Sequence, residues 1–183
     1  MWLRPLARSA GLAAALTAPA VASYTAVLLA DTATPAWHEA YRELPFVFVG
    51  SAAAASGGLG MLLAPHDESG PAQRLAIGGA CLELAMERRM ESSMGIAAEA
   101  LHQGRPGQLM RASKALTAVG AVAALGARRS RRVSALSGLA LLAGSACTRF
   151  GIFEAGQESA RDPRYVVVPQ RERLNAREGR PRP

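Results

Sequence analysis

Glu83, Glu87 and Glu91 stand four residues apart in LELAMERRMESSMG. On a helix that spacing sets the three carboxylates on one face, with Met86, Met90 and Met94 along the neighbouring stripe. Carboxylates stacked in this way repel unless a cation intervenes or a carboxyl keeps its proton. Arg88, Arg89 and Arg149 are the cations expected to intervene. Two readings follow for this set, with Glu154 added to it: a proton-conducting path through a helical bundle, or a structural ion-pair network near a membrane surface. Arg149 and Glu154 fall together in CTRFGIFEAG, where each can reach lipid headgroups or the other.

Other chemistry is sparse. His38, His66 and His102 all fall in connecting segments, whereas a transmembrane b-type haem needs histidines projecting from spans, so no haem is expected. Cys81 and Cys147 are isolated in apolar runs and read as small hydrophobes, with neither a disulfide nor a metal site. The glycine-rich run GSAAAASGGLG lacks both the preceding strand and the Lys-Ser/Thr of a phosphate loop. No nucleophile and base recur at a recognisable spacing, so no catalytic residue is assigned.

The elements that would position these groups are long apolar helices. Of the 183 residues 50% are hydrophobic but only 5% aromatic, and Ala, Gly and Leu dominate the apolar blocks, which favours helices over strands. Residues 11–30 carry no charge, and about 20 residues at 1.5 Å each match the hydrocarbon thickness of a bilayer. Residues 45–64 are likewise uncharged, with Pro45 in the first turn and Pro65 just beyond the end. Between them lies a polar turn in which Trp37 and Tyr41 are expected to settle at the headgroups. Gly50, Ala54, Gly57, Gly58 and Gly60 form rows of small residues that let helices approach closely in lipid.

Three further segments complete the prediction: 73–94, 109–127 and 133–153. The first carries the glutamates. Each charge facing lipid near the bilayer centre costs about 2.5 to 3.5 kcal/mol, so 73–94 crosses inside a protein bundle or leaves the membrane near Glu87. In 109–127, Arg111 and Lys114 are expected to snorkel to the interface. The fold class is therefore all-α, a polytopic transmembrane bundle over 1–156 with about five spans, or four if 73–94 does not cross, in the inner membrane of the cell.

The net charge of +7 is concentrated at 128–132 and beyond 161. It lacks the motif and aromatic context of a nucleic-acid reader, so the lipid bilayer, not nucleic acid, is the expected partner. Arg4, Arg8 and the run RRSRR place the first N-terminus and the 128–132 turn on the cytoplasmic side, which favours five crossings. The N-terminus also has the form of a secretory signal, but its apolar run continues unbroken through YTAVLLA, and an uncleaved first helix is expected. Five crossings put the basic tail, 157–183, outside, against the charge rule. In that tail 165–168 reads as an extended strap suited to a partner subunit, and the last ten residues read as disordered.

Three stretches carry a family resemblance: YTAVLLADTATPAWHEAYRELPFVFVGSAAAASGG, then GSACTRFGIFEAG, then SARDPRYVVVPQRERL. In order and spacing they resemble the C-terminal half of polysulfide reductase membrane subunits of the NrfD type. The resemblance implies a haem-free membrane subunit that anchors an iron-sulfur subunit and a molybdopterin catalytic subunit and exchanges electrons with the quinone pool. Menaquinone is the cofactor it would use, and nothing is bound covalently. Glu39, Arg149, Glu154 and the tail motif match the family pattern, and Trp37, His38, Glu39, Arg161, Arg164 and Tyr165 are expected as partner or interface contacts. Full-length members carry their principal quinol-binding residues in an N-terminal bundle with no counterpart here. The chain is thus expected to be a fragment, a split-gene product needing a separate N-terminal half, or a remnant, and its alternative role is that of a non-catalytic anchor.

Overall fold

The computed structural model describes residues 3–178, with side chains from residue 7 to residue 175. It is helical, with no strand among the described residues. The helices are α1 (Leu3–Ala30), a short α2 (Pro35–Glu39), α3 (Leu44–Leu63), α4 (Gly70–Ser93), α5 (Gly104–Leu125), α6 (Arg131–Arg161) and α7 (Arg164–Glu178). A 3-10 segment, Gly95–Leu101, joins α4 to α5, and a shorter one, Ala127–Arg129, joins α5 to α6. The α4–α5 connection turns at Gly95 and Gly104, whose φ of +56° and +55° suits glycine.

α3, α4, α5 and α6 run up and down as a four-helix bundle, and α1 lies against α3. The antiparallel register is fixed by glycine contacts. A methyl group at Gly50, Gly57 or Gly79 would strike the backbone of the facing helix in the α3–α4 pair, and Gly58 meets Gly138 in the same way between α3 and α6. The rows of small residues therefore set the interhelical distance. On the α5–α6 side, Gly120 receives Leu141 and Gly144 receives Thr117.

Large apolar side chains cover the outside, while hydroxyls stand inside among an apolar core of Leu44, Val47, Met61, Met90 and Leu141. Leu12, Leu16, Phe46, Leu63, Val119, Val122, Leu136 and Phe150 face outward, whereas Ser51, Ser113, Thr117, Ser134, Ser137, Ser145 and Thr148 are buried. Such a chain is matched to an apolar solvent, with its hydroxyls bonding across helices. Three helical stretches are long and apolar enough to cross a membrane: Ala7–Ala30, Leu44–Leu63 and Arg131–Arg161. The expected spans 73–94 and 109–127 do form helices, α4 and α5, but their charges keep them outside that set.

Two expectations about the ends are corrected. The stretch 165–168 is helical, not extended: Asp162 Oδ1 accepts the Arg164 amide at 3.0 Å, and Pro163 O receives the amides of Val166 and Val167. An isolated extended strap would leave these groups unpaired, and Asp-Pro is a helix-start signature. Of the residues expected to be disordered, 174–178 continue α7, while 179–183 lie outside the described residues. Trp37 is enclosed by protein instead of standing free at an interface. Its Nε1 donates to Ile152 O at 2.8 Å and its ring fills the notch left by Gly156 on α6.

Candidate functional site: a buried polar line

The three glutamates line the inner face of α4, and the helices opposite supply their surroundings. Glu91 is nearest the surface. Its Oε1 lies 2.5 Å from Lys114 Nζ on α5, and the same ammonium stands 3.9 Å from Glu87 Oε1. Glu87 is fully buried, and neither carboxylate oxygen has a hydrogen-bond partner. One turn deeper, Glu83 Oε1 accepts from Thr148 Oγ1 at 2.7 Å, while Glu83 Oε2 is unpartnered. Thr148 in turn lies 2.5 Å from Ser113 Oγ.

Beyond Glu83 the line continues as hydroxyls. Ser51 Oγ donates to Ser145 Oγ at 2.8 Å, and Thr117 Oγ1 is buried without a partner. Further on, Ser137 donates to Gly120 O at 2.7 Å and Ser134 to Met61 O at 3.0 Å, so those hydroxyls are fixed by backbone carbonyls. A carboxyl ladder thus enters from the end where α4 finishes and gives way to a hydroxyl ladder at mid-bundle. Buried carboxyl groups with open lone pairs can take up and release protons, and buried polar groups left unpaired are costly to keep for packing alone.

The predicted network divides into separate parts. Arg88 is exposed and takes no part in the line. Arg89 pairs with Glu43 at 3.5 Å, and Glu43 also accepts from Ser93. Arg149 holds its guanidinium 4.9 Å above the Phe48 ring and does not pair with Glu154. Glu154 is held by Arg105 at 3.1 Å. The cation that meets Glu87 and Glu91 is Lys114, which sequence reasoning placed at the interface. A signal was present: Lys114 is the sole lysine among 21 Lys and Arg residues.

The expected interface residues gather at the end where α7 lies. Tyr165 is buried, Arg164 bonds Glu99 at 3.2 Å and Asp162 at 2.6 Å, and Arg161 pairs with Glu158 at 3.5 Å. Glu39 takes Arg173 of α7 at 3.1 Å, and His38 Nδ1 lies 3.2 Å from Ala30 O. Acidic partners thus hold three arginines of the tail, Arg161, Arg164 and Arg173. Two open clefts, about 420 and 440 Å³, flank α7 and share Glu39, Tyr165, Pro169 and Arg173. The apolar void inside the bundle, between Trp37, Leu44, Met90 and Ile152, has room for about 10 Å³.

A model of the polysulfide reductase family matches residues 2–164. No curated protein and no solved structure matches the chain. With most of the chain covered by that match, and with helices apolar enough to span a bilayer, the protein is a membrane protein that belongs to the NrfD-type polysulfide reductase family.

Proposed function

We propose that this chain is the membrane-integral subunit of a quinone-linked molybdopterin oxidoreductase, and that Glu91, Lys114, Glu87 and Glu83 move the protons that accompany quinone turnover. Family membership supports the class of complex. The observation that carries the proton role is Glu87, buried with both oxygens open and one exchangeable cation, Lys114, 3.9 Å away. An ammonium can release its proton, whereas a guanidinium stays charged, so the placement of the one lysine at this point suits transfer.

The apolar void between Trp37, Leu44, Met90 and Ile152, about 10 Å³, is far below the roughly 300 to 1,000 Å³ of small-molecule sites. No quinone ligand is therefore assigned inside the bundle. In this reading menaquinone and the iron-sulfur subunit meet the chain at the α7 end, where the clefts and the mouth of the carboxyl ladder lie, and five helices cross with that end outside. α4 and α5 cross because they lie antiparallel beside α3 and α6 over their lengths, with Glu83 and Glu87 buried and the exposed Arg74, Arg88, Arg89, Arg105 and Arg111 toward the helix ends.

The small void also favours a second reading, in which the chain is a non-catalytic anchor or assembly subunit. Glu87→Gln in the reconstituted complex separates the two. The proton role predicts that quinol-dependent turnover and proton release fall at least about tenfold, as expected when a proton-transfer group is removed. Unchanged turnover and proton release in a folded variant, together with no saturable menaquinone binding by the purified chain, would favour the anchor.

A further inference from the structure

Midway along the bundle, four helices bring oxygens to one level. Glu83 of α4 is fully buried there, and α3 meets α4 at this height, because a methyl at Gly50 would strike the Glu83 backbone. Ser51 follows Gly50, and its hydroxyl faces the Glu83 carboxyl together with that of Thr117 on α5. From α6, Thr148 donates to Glu83 Oε1 at 2.7 Å, and Thr117 Oγ1 lies against Gly144, one turn before Thr148.

The hydrogen bonds at this level leave acceptors over. Ser51 Oγ gives its proton to Ser145 Oγ at 2.8 Å and keeps its lone pairs. Glu83 Oε2 and Thr117 Oγ1 are both buried, and neither has a hydrogen-bond partner. Buried polar atoms that face one another without bonding mark the place of a bridging water or ion.

The charge of the surroundings decides between these. Glu83, Glu87 and Glu91 come from α4, Lys114 from α5, and Arg149, with its guanidinium over Phe48, from α6, while α3 brings no charge. Three carboxylates against two cations leave one negative charge over, and Lys114 stands with Glu87 and Glu91. A buried charge needs a partner, and one monovalent cation beside Glu83 supplies it. Carboxylate and hydroxyl oxygens, with no sulfur or imidazole among them, suit a hard ion, whereas calcium or magnesium would exceed the charge. Glycines at 50 and 144 hold the helices close at this level, which favours the smaller alkali ion.

We infer that Glu83, Thr117 and Ser51 bind a sodium ion at the middle of the bundle. Sodium there holds Glu83 as a carboxylate, so the proton line proposed above ends at Glu87 whenever the ion is bound. The site itself rests on the oxygens around Glu83 and does not depend on quinone turnover.

Binding of radioactive sodium to the purified full chain in detergent tests this. Saturable retention of one ion per chain is expected, displaced by unlabelled sodium and not by equal choline. Thr117→Val keeps nearly the shape of the side chain but removes a ligand, and should weaken binding at least about tenfold, as loss of groups at metal sites does. Thr117→Ser keeps the hydroxyl and should retain binding, and Glu83→Gln should abolish it. Sodium should also raise the melting temperature of the wild-type chain and not that of Glu83→Gln. No saturable binding by the folded chain, or binding unchanged in Thr117→Val and Glu83→Gln, would overturn the assignment. Wild-type turnover in Glu87→Gln would strike the proton role and leave sodium binding in place.

Discussion

Lys114 Nζ lies 2.5 Å from Glu91 and 3.9 Å from Glu87, so one ammonium stands between a carboxylate open to the surface and one sealed inside the bundle. Its place on α5 lets it exchange partners with a small rotation of a flexible stem. That relationship generates a prediction separating transfer from structure. Lys114→Arg keeps the charge and should hold the melting temperature within a few degrees, yet slow quinol-dependent proton release about tenfold. Lys114→Met should lower stability by about 2 kcal/mol, below the roughly 3 to 5 kcal/mol for broken buried pairs because Lys114 is a third exposed. Proton release by Lys114→Arg at the wild-type rate would reduce the lysine to an ion-pair partner.

Neighbouring glycines on α4 should respond in opposite directions. Gly78 has open space around its position, whereas a methyl at Gly79 would strike the α3 backbone. Gly78→Ala is expected to stabilise the chain by up to about 1 kcal/mol through helix propensity. Gly79→Ala is expected to destabilise it by about 1 to 3 kcal/mol through overpacking. Thermal unfolding in detergent measures both, and equal responses would contradict the α3–α4 packing.

Trp37 anchors α2 to α6, so its size and its indole N–H should be separable. Trp37→Phe loses the bond to Ile152 O and should cost about 1 kcal/mol, because that carbonyl sits within a helix. Trp37→Ala also empties the notch at Gly156 and should cost about 3 to 5 kcal/mol. An exposed interfacial tryptophan would show a far smaller loss in the same unfolding measurement.

α7 is held to the bundle by Tyr165 and by the Arg173–Glu39 pair. Tyr165→Ala should release it, making 166–175 several times more susceptible to limited proteolysis while the unfolding of α3–α6 stays in place. Wild-type cleavage rates in the variant would show that α7 does not depend on that ring.

What could be read from the sequence follows from how local each signal is. The helices of the bundle, their proline-marked ends and the shared face of Glu83, Glu87 and Glu91 are properties of short segments, where periodicity and composition suffice. Partner choice is not local. The notch that receives Trp37 lies on α6, and its bond reaches across 115 positions of the chain. Lys114 meets glutamates one helix away, so its interfacial look in isolation concealed its inward direction. Arg149 and Glu154, five positions apart in sequence, turn to other helices, to Phe48 and Arg105. For 165–168, three consecutive valines suggested an extended strand, but without a neighbouring strand the Asp-Pro start decided for a helix.

The central claim is that α4 carries its three glutamates across the membrane inside a jacket of helices. Single cysteines at Asp67 and Gln103, on either side of α4, introduced into a chain with Cys81 and Cys147 replaced by alanine, test it most directly with a membrane-impermeant thiol reagent on intact cells. The account predicts labelling at 103 from outside and labelling at 67 only after permeabilisation. Labelling of both positions from the same side would contradict it.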